Sequence, residues 1–369
     1  MPEIRVLNVG GTPFEMGYQH GLAFARDIRK LARERIELAS RETWSGRQLP
    51  RGEILNLAAQ IVDHHGRYSA SLHEELEGMA AATGLSLPEL VIANGFTDFV
   101  DVVYNADRQT AAVPTLYGNE CTTFMANSNS KIAEHGLIGQ TWDMHATATP
   151  HVILLNGKPK DAPEFLLFTL TGCVGMIGMN SAGISLAINN LESADGKPGV
   201  TWNFVVREVL AQDNLDAALA CITSAELAGA HNYMLMDASG RGFNVEAMPS
   251  VKHVQAITDN TYAHANVCLS DEARAYEREQ PEDLLIDSEK RASRANQLLE
   301  DLRPITPDDL MAISRDRSDG SYSICSMPEP PHYWETCGAV VMRPATREFW
   351  GVWGLPTHNE YQRFALPAD

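Results

Sequence analysis

The sequence holds no pair of cysteines at Cys-x-x-Cys spacing. Its six cysteines, Cys121, Cys173, Cys221, Cys268, Cys325 and Cys337, are scattered singly. That spacing argues against a zinc knuckle and against a dense disulfide framework, and most of the six read as small buried hydrophobes. No apolar run approaches the ~18–20 residues that span a bilayer. The opening stretch, Met1 to Gly11, lacks the basic-then-apolar order of a signal peptide, so a cytoplasmic location is expected. Basic residues are scarce, with 29 Lys and Arg against 48 Asp and Glu, a net charge of −19. Such a surface repels polyanions, so neither nucleic acid nor an acidic membrane is expected as a partner. No P-loop or dinucleotide-binding glycine pattern occurs, and no cofactor is expected. Asp63-His64-His65 and His73-Glu74-Glu75 resemble metal-ligand clusters. Both fall in helical stretches without a second cluster, so they read as solvated helix faces and no metal is expected. Internal repeats and low-complexity segments are also missing.

What is present is ample. The chain has 369 residues, 44% of them hydrophobic, enough for one large domain or two ordinary ones. The first hundred residues predict helices. Thr12-Pro13-Phe14-Glu15 is a capping box with proline at the first helical position, opening a helix toward Arg41. Phe14, Gly17, Gly21, Phe24, Ile28 and Leu31 keep one face of it apolar or small, and the two glycines would let a neighbour pack close. Further helices are predicted over Arg51–Tyr68, over Leu72–Ala82, and from the Ser86-Leu87-Pro88-Glu89 capping box toward Phe96. Tyr104 to Asn119 reads as a loop or linker. From Cys121 the chain turns to short apolar strands: CTTFMAN, GLIGQTWD, PHVILLNG, EFLLFTLTG and GISLAINN. Helices at 202–212 and 215–223, strands NYMLMD and GFNVEAM, helices at 287–302 and 307–314, and strands GAVVMRP and EFWGVWG complete the pattern. Hairpin-like spacing favours an α+β layered core over a doubly wound parallel sheet.

Cys121 stands where the loop meets the first of these strands. A cysteine attacks carbonyls as its thiolate, so it needs a base or a depressed pKa. No histidine is near it in sequence, although His135, His145 or His264 could pair with it in space. The local signature of papain-like nucleophiles is absent. A second source of base exists. Cutting the Glu120–Cys121 bond would give Cys121 a free α-amino group, which titrates at about 7.7–8.0, near the useful range for proton transfer. Thiol attack on the Glu120 carbonyl would give a thioester that water opens.

Several motifs occur in a telling order: GTPFEMGYQHG at 11–21, ECTT at 120–123, GQTWD at 139–143, NSAG at 180–183, AHANVCL at 263–269 and SIC at 323–325. Together they resemble the penicillin acyltransferase (isopenicillin N acyltransferase) family of N-terminal-nucleophile (Ntn) hydrolases over nearly the whole chain. The resemblance implies a four-layer αββα sandwich with a helical N-terminal segment. Residues 1–120 would become one chain and 121–369 a second, catalytic chain, the two fragments staying associated. It implies Cys121 as nucleophile, with its freed amine as base and Asp143 orienting that amine. Asn266 would donate to the oxyanion, and Asn189, Asn190 and Gln140 would line the pocket. The substrate would be a small N-acyl amide, cleaved or transferred through an acyl-enzyme. Two residues depart from the family pattern. Glu120 stands where glycine is usual, adding bulk and charge beside the bond to be broken. Ser326 stands where arginine follows SIC, leaving Arg315 or Arg317 to reach in from the preceding segment. Two rivals stay open: an uncut Cys–His hydrolase, and a non-catalytic binding protein on the same fold.

Overall fold

A computed structural model describes residues 3–106, 120–129, 132–258, 260–328 and 334–367. The predicted linker falls mostly on 107–119, outside the described residues.

The strands are β1 (Arg5–Gly11), β2 (Cys121–Ala126), β3 (Leu137–His145), β4 (Val152–Pro159), β5 (Phe165–Leu170), β6 (Ile177–Asn180) and β7 (Ser185–Leu191). They continue with β8 (Ala230–Met236), β9 (Gly242–Ala247), β10 (Lys252–Ile257), β11 (Thr261–His264), β12 (Trp334–Arg343), β13 (Glu348–Trp353) and β14 (Gln362–Ala365). Among the described residues they form two sheets, ordered β1-β4-β5-β6-β7-β8-β9-β10 and β11-β2-β3-β12-β13-β14. All pairs are antiparallel except β1 with β4. The sheets meet where β7 packs on β2 and β3. Helices Pro13–Ala39 and Leu215–Thr223 cover the first sheet, and helices Glu282–Asp301 and Pro307–Ile313 cover the second. The result is an αββα sandwich, the layering that the resemblance implies.

Strand alternation sorts side chains between these layers. In β2 and β12, Met125 and Val340 enter the core between the sheets, while Phe124 and Val341 pack against the outer helices. With both faces covered, the strands read as continuous apolar runs rather than alternating ones. β1 is the main departure from the predicted N-terminal segment, which is not wholly helical. Its burial is patchy, so it carries little hydrophobic signal. It is held instead by its parallel register with β4, from Arg5 opposite Ile153 to Gly11 opposite Pro159.

The Thr12 capping box is in place, and the first helix packs along helix Ala70–Thr83. A Cβ on Gly17 would lie 1.8 Å from the Glu75 carbonyl oxygen, and one on Gly78 would lie 2.1 Å from that of Phe14. The glycines therefore permit backbone-to-backbone contact, which outweighs their cost to helix propensity. The predicted fourth helix is Leu87–Asn94, and a helix that was not predicted, Phe96–Asn105, follows it across Gly95, where a Cβ would strike Thr201.

Among the described residues no single helix is long and apolar enough to cross a membrane. They also hold no metal-ligand cluster. His65 is buried with Nε2 2.9 Å from the Thr201 hydroxyl, a core histidine rather than part of a solvated face.

Candidate active site

The strand β3 carries Gln140, Thr141 and Asp143 at 0% exposure, deep between the layers. Burying such groups is costly unless they are paired or employed. Opposite them in the ladder lies the start of β2, with Cys121 facing Trp142.

The peptide bond between Glu120 and Cys121 is held on both sides. The Asp143 N–H donates to the Glu120 carbonyl oxygen at 2.8 Å. The Cys121 N–H donates to Asn266 Oδ1 at 2.7 Å. One residue further on, the Cys121 carbonyl accepts from Asn189 Nδ2 at 3.0 Å and from Arg291 Nη1 at 2.8 Å. Gln140 accepts from the Ile188 N–H at 2.8 Å, tying the second sheet to β7, and its buried Nε2 has no hydrogen-bond partner among the described residues. Asn189 Oδ1 accepts from the Thr123 hydroxyl at 2.8 Å. Asn190 lines the pocket beside Cys121.

In the uncut chain Asn266 presents its oxygen, not its N–H, to Cys121. Its Nδ2 donates to the Asn190 carbonyl at 2.9 Å. Asn189 is likewise engaged with the Cys121 carbonyl rather than directed at an oxyanion position.

Electrostatics set the resting state. Burial pushes the Cys121 thiol up to about 12, and the Asp143 charge adds to this. The thiol is therefore protonated at neutral pH in the uncut chain. Burial also pushes the Asp143 carboxyl up to about 7, against the pull of Arg291 and the Thr336 hydroxyl. Both Asp143 carboxylate oxygens lack a hydrogen-bond partner of good geometry among the described residues. Glu120 is buried too, and desolvation with the neighbouring Asp287 holds its carboxyl well above the usual range.

Arg291 belongs to none of the sequence motifs, yet it joins these groups. It lies on helix Glu282–Asp301 at 0% exposure. It donates to Asp287 at 2.7 Å, to the Thr122 hydroxyl at 3.0 Å, to Asn266 Oδ1 at 3.2 Å and to Glu120 Oε2 at 3.3 Å. Burial disfavours its charge, but Asp287, Glu120 and Asp143 outweigh that and raise its pKa. Arg315 and Arg317 turn elsewhere, to the Pro356 and Cys325 carbonyls. Ser326 binds Thr336 through its backbone. A signal for Arg291 did exist. Leu284, Ser288, Ala295 and Leu299 mark the buried stripe of its helix, and an arginine falls inside that stripe.

The histidines expected as partners for Cys121 face other groups. His264 lies 2.8 Å from Glu246 and 2.7 Å from the Ala265 carbonyl. His145 contacts Thr147, and His135 lies beside Glu134. None of the three lines the Cys121 pocket, whereas His231 does, with Nδ1 3.0 Å from Asp98. That pocket is bounded by Phe96, Trp142, Met144 and Trp202, and its volume is about 30 Å³.

The family model of acyl-coenzyme A:6-aminopenicillanic acid acyl-transferases matches residues 129–358. The chain belongs to this family. Asp143, Asn189, Asn190, Asn266 and Arg291 fall inside the matched region; Glu120 and Cys121 precede it. An acyl-coenzyme A:6-aminopenicillanic-acid-acyltransferase 40 kDa form from Emericella nidulans is 25% identical over 291 residues, 78% of this chain and 75% of that protein. A penicillin V acylase structure from Agrobacterium tumefaciens is 13% identical with a TM-score of 0.42, covering 67% of this chain and 86% of its own. A mutant of the conjugated bile acid hydrolase from Clostridium perfringens is 12% identical with a TM-score of 0.40, covering 67% of this chain and 97% of its own. Membership makes the chain an Ntn-type acyltransferase or amidohydrolase.

Proposed function

We propose that the chain cuts itself between Glu120 and Cys121 and then acts on a small N-acyl amide through an acyl-enzyme on Cys121. The observation that carries this reading is the grip on one peptide bond, with the Asp143 N–H on its carbonyl and Asn266 on its nitrogen. In the first step the Cys121 sulfur bonds to the Glu120 carbonyl carbon, and the carbon–nitrogen bond breaks. The thiol proton ends on the departing nitrogen. A carboxyl titrating near 7 is suited to carry it, and Asp143 is such a group. The Asp143 N–H stabilises the charge that develops on the carbonyl oxygen. Water then opens the thioester, leaving Glu120 with a carboxylate and returning a proton to sulfur.

Cleavage gives the site a cation. The new α-ammonium of Cys121 offers Asp143 an opposite charge, and its neutral form serves as the base in turnover. The substrate carbonyl takes the place of the Glu120 carbonyl, with the same N–H as donor. The freed amine accepts the thiol proton and returns it to the leaving amine as the acyl thioester forms. Water is the default acceptor of the acyl group, and an amine acceptor would make the reaction a transfer.

Intact-mass spectrometry on freshly purified and incubated protein tests the reading. Fragments 1–120 and 121–369 are expected from the wild type, and a single uncut chain from Cys121→Ala. A wild type that stays whole on long incubation, together with an active Cys121→Ala chain, would overturn it.

A further inference from the structure

Arg35 lies on the first helix, far from Cys121 in sequence, yet the two residues line the same pocket. Arg35 is 2% exposed. Its Nη1 donates to the Ala93 carbonyl at 2.5 Å, and its guanidinium sits 5.4 Å from the centre of the Phe96 ring. Among the described residues no carboxylate pairs with it, and its buried Nε has no hydrogen-bond partner. The adjacent Glu34 attracts the Arg35 charge through space but is hydrogen-bonded to Thr147 and lies beside His145, forming no ion pair with Arg35. Burial lowers the guanidinium pKa only to about 10, so the charge persists at neutral pH.

A buried ion without a counter-ion carries a desolvation penalty of several kcal/mol. Among the described residues the other buried arginines each have an acid: Arg291 has Asp287, Arg207 has Glu75, and Arg278 has Glu192. Arg35 differs in facing the space where substrate must lie. We infer that Arg35 is the specificity-determining residue of this pocket and reads a carboxylate on an otherwise apolar substrate. The anion supplies the missing counter-charge, while Phe96, Trp142 and Trp202 cover its hydrocarbon part. This inference rests on the proposed function for the identity of the pocket, and it narrows the substrate to N-acyl amides that bear a carboxylate. It also makes the N-terminal segment part of the specificity machinery after cleavage.

Calorimetric titration of the processed protein with hexanoate and with the neutral hexanamide tests it. The wild type is expected to bind hexanoate at least roughly tenfold more tightly, about 1.4 kcal/mol. Arg35→Met is expected to abolish that preference and Arg35→Lys to keep part of it. Should Arg35→Met not fold, the wild-type preference and the Arg35→Lys change decide. Equal affinities, binding of neither compound, or a preference that survives Arg35→Met would overturn the inference. Binding needs no turnover, so a chain that binds hexanoate yet cleaves no amide counts against the proposed function alone.

Discussion

Asp143 is a buried carboxyl held above its ordinary range by desolvation. Its folded pKa of about 7 stands above the ordinary 3.8. A raised carboxyl pKa contributes stability that is full below the ordinary value and lost as pH rises through the folded one. In the uncut Cys121→Ala chain, stability is therefore expected to fall between about pH 4 and pH 7. Adding Asp143→Asn should stabilise that chain at pH 8, by up to roughly 4 kcal/mol at ~1.4 kcal/mol per pH unit, and change it little at pH 4. Denaturant unfolding at the two pH values checks this, and an equal shift at both would sink the account. Arg291 is the complementary case. Three acids, Asp287, Glu120 and Asp143, surround it. Removing one partner of a buried ionic cluster costs about 3–5 kcal/mol. Arg291→Met is thus expected to lower the melting temperature and to stop cleavage, as followed by intact mass over time. Cleavage at the wild-type rate would show that Arg291 only packs.

Among the elements, the pair of helices Pro13–Ala39 and Ala70–Thr83 is the most sharply constrained. Its backbones meet at Gly17 and Gly78. Gly17→Ala is expected to destabilise the protein by about 1–3 kcal/mol or more through overpacking, although alanine is the better helix former. Thermal denaturation checks it, and an unchanged melting temperature would mean that the helices do not pack this closely. The glycine pattern and the capping box were legible because both are local. β1, β10, β11 and β14 were not legible. All four are edge strands, and β10 and β14 carry mostly half-buried or exposed residues, so no alternation pattern marked those two.

At the scale of the molecule, the two prospective fragments are not separate domains. Residues before Cys121 supply an edge strand to the first sheet and the helix that covers it. His20 on that helix accepts from the Gly172 N–H at 2.9 Å. Fragments 1–120 and 121–369 are therefore expected to co-elute in size-exclusion chromatography and to part only in denaturant. Separation in native buffer would contradict the interlocked layers.

The order of motifs around Cys121, Asp143 and Asn266 was readable from sequence, because short runs such as GQTWD keep their character without any knowledge of distance. Helix caps and the strand-rich layering followed from local pattern for the same reason. Only the tertiary structure decided what holds the Glu120–Cys121 bond. Arg291 lies 170 positions from Cys121, and its sequence neighbours suggest an ordinary helix pair with Asp287. The direction of the Asn266 amide and the solitary charge of Arg35 were equally hidden. Each depends on which groups folding brings within about 3 Å, the reach of a hydrogen bond, and on how much water it removes. Neither quantity is a property of a short stretch of sequence.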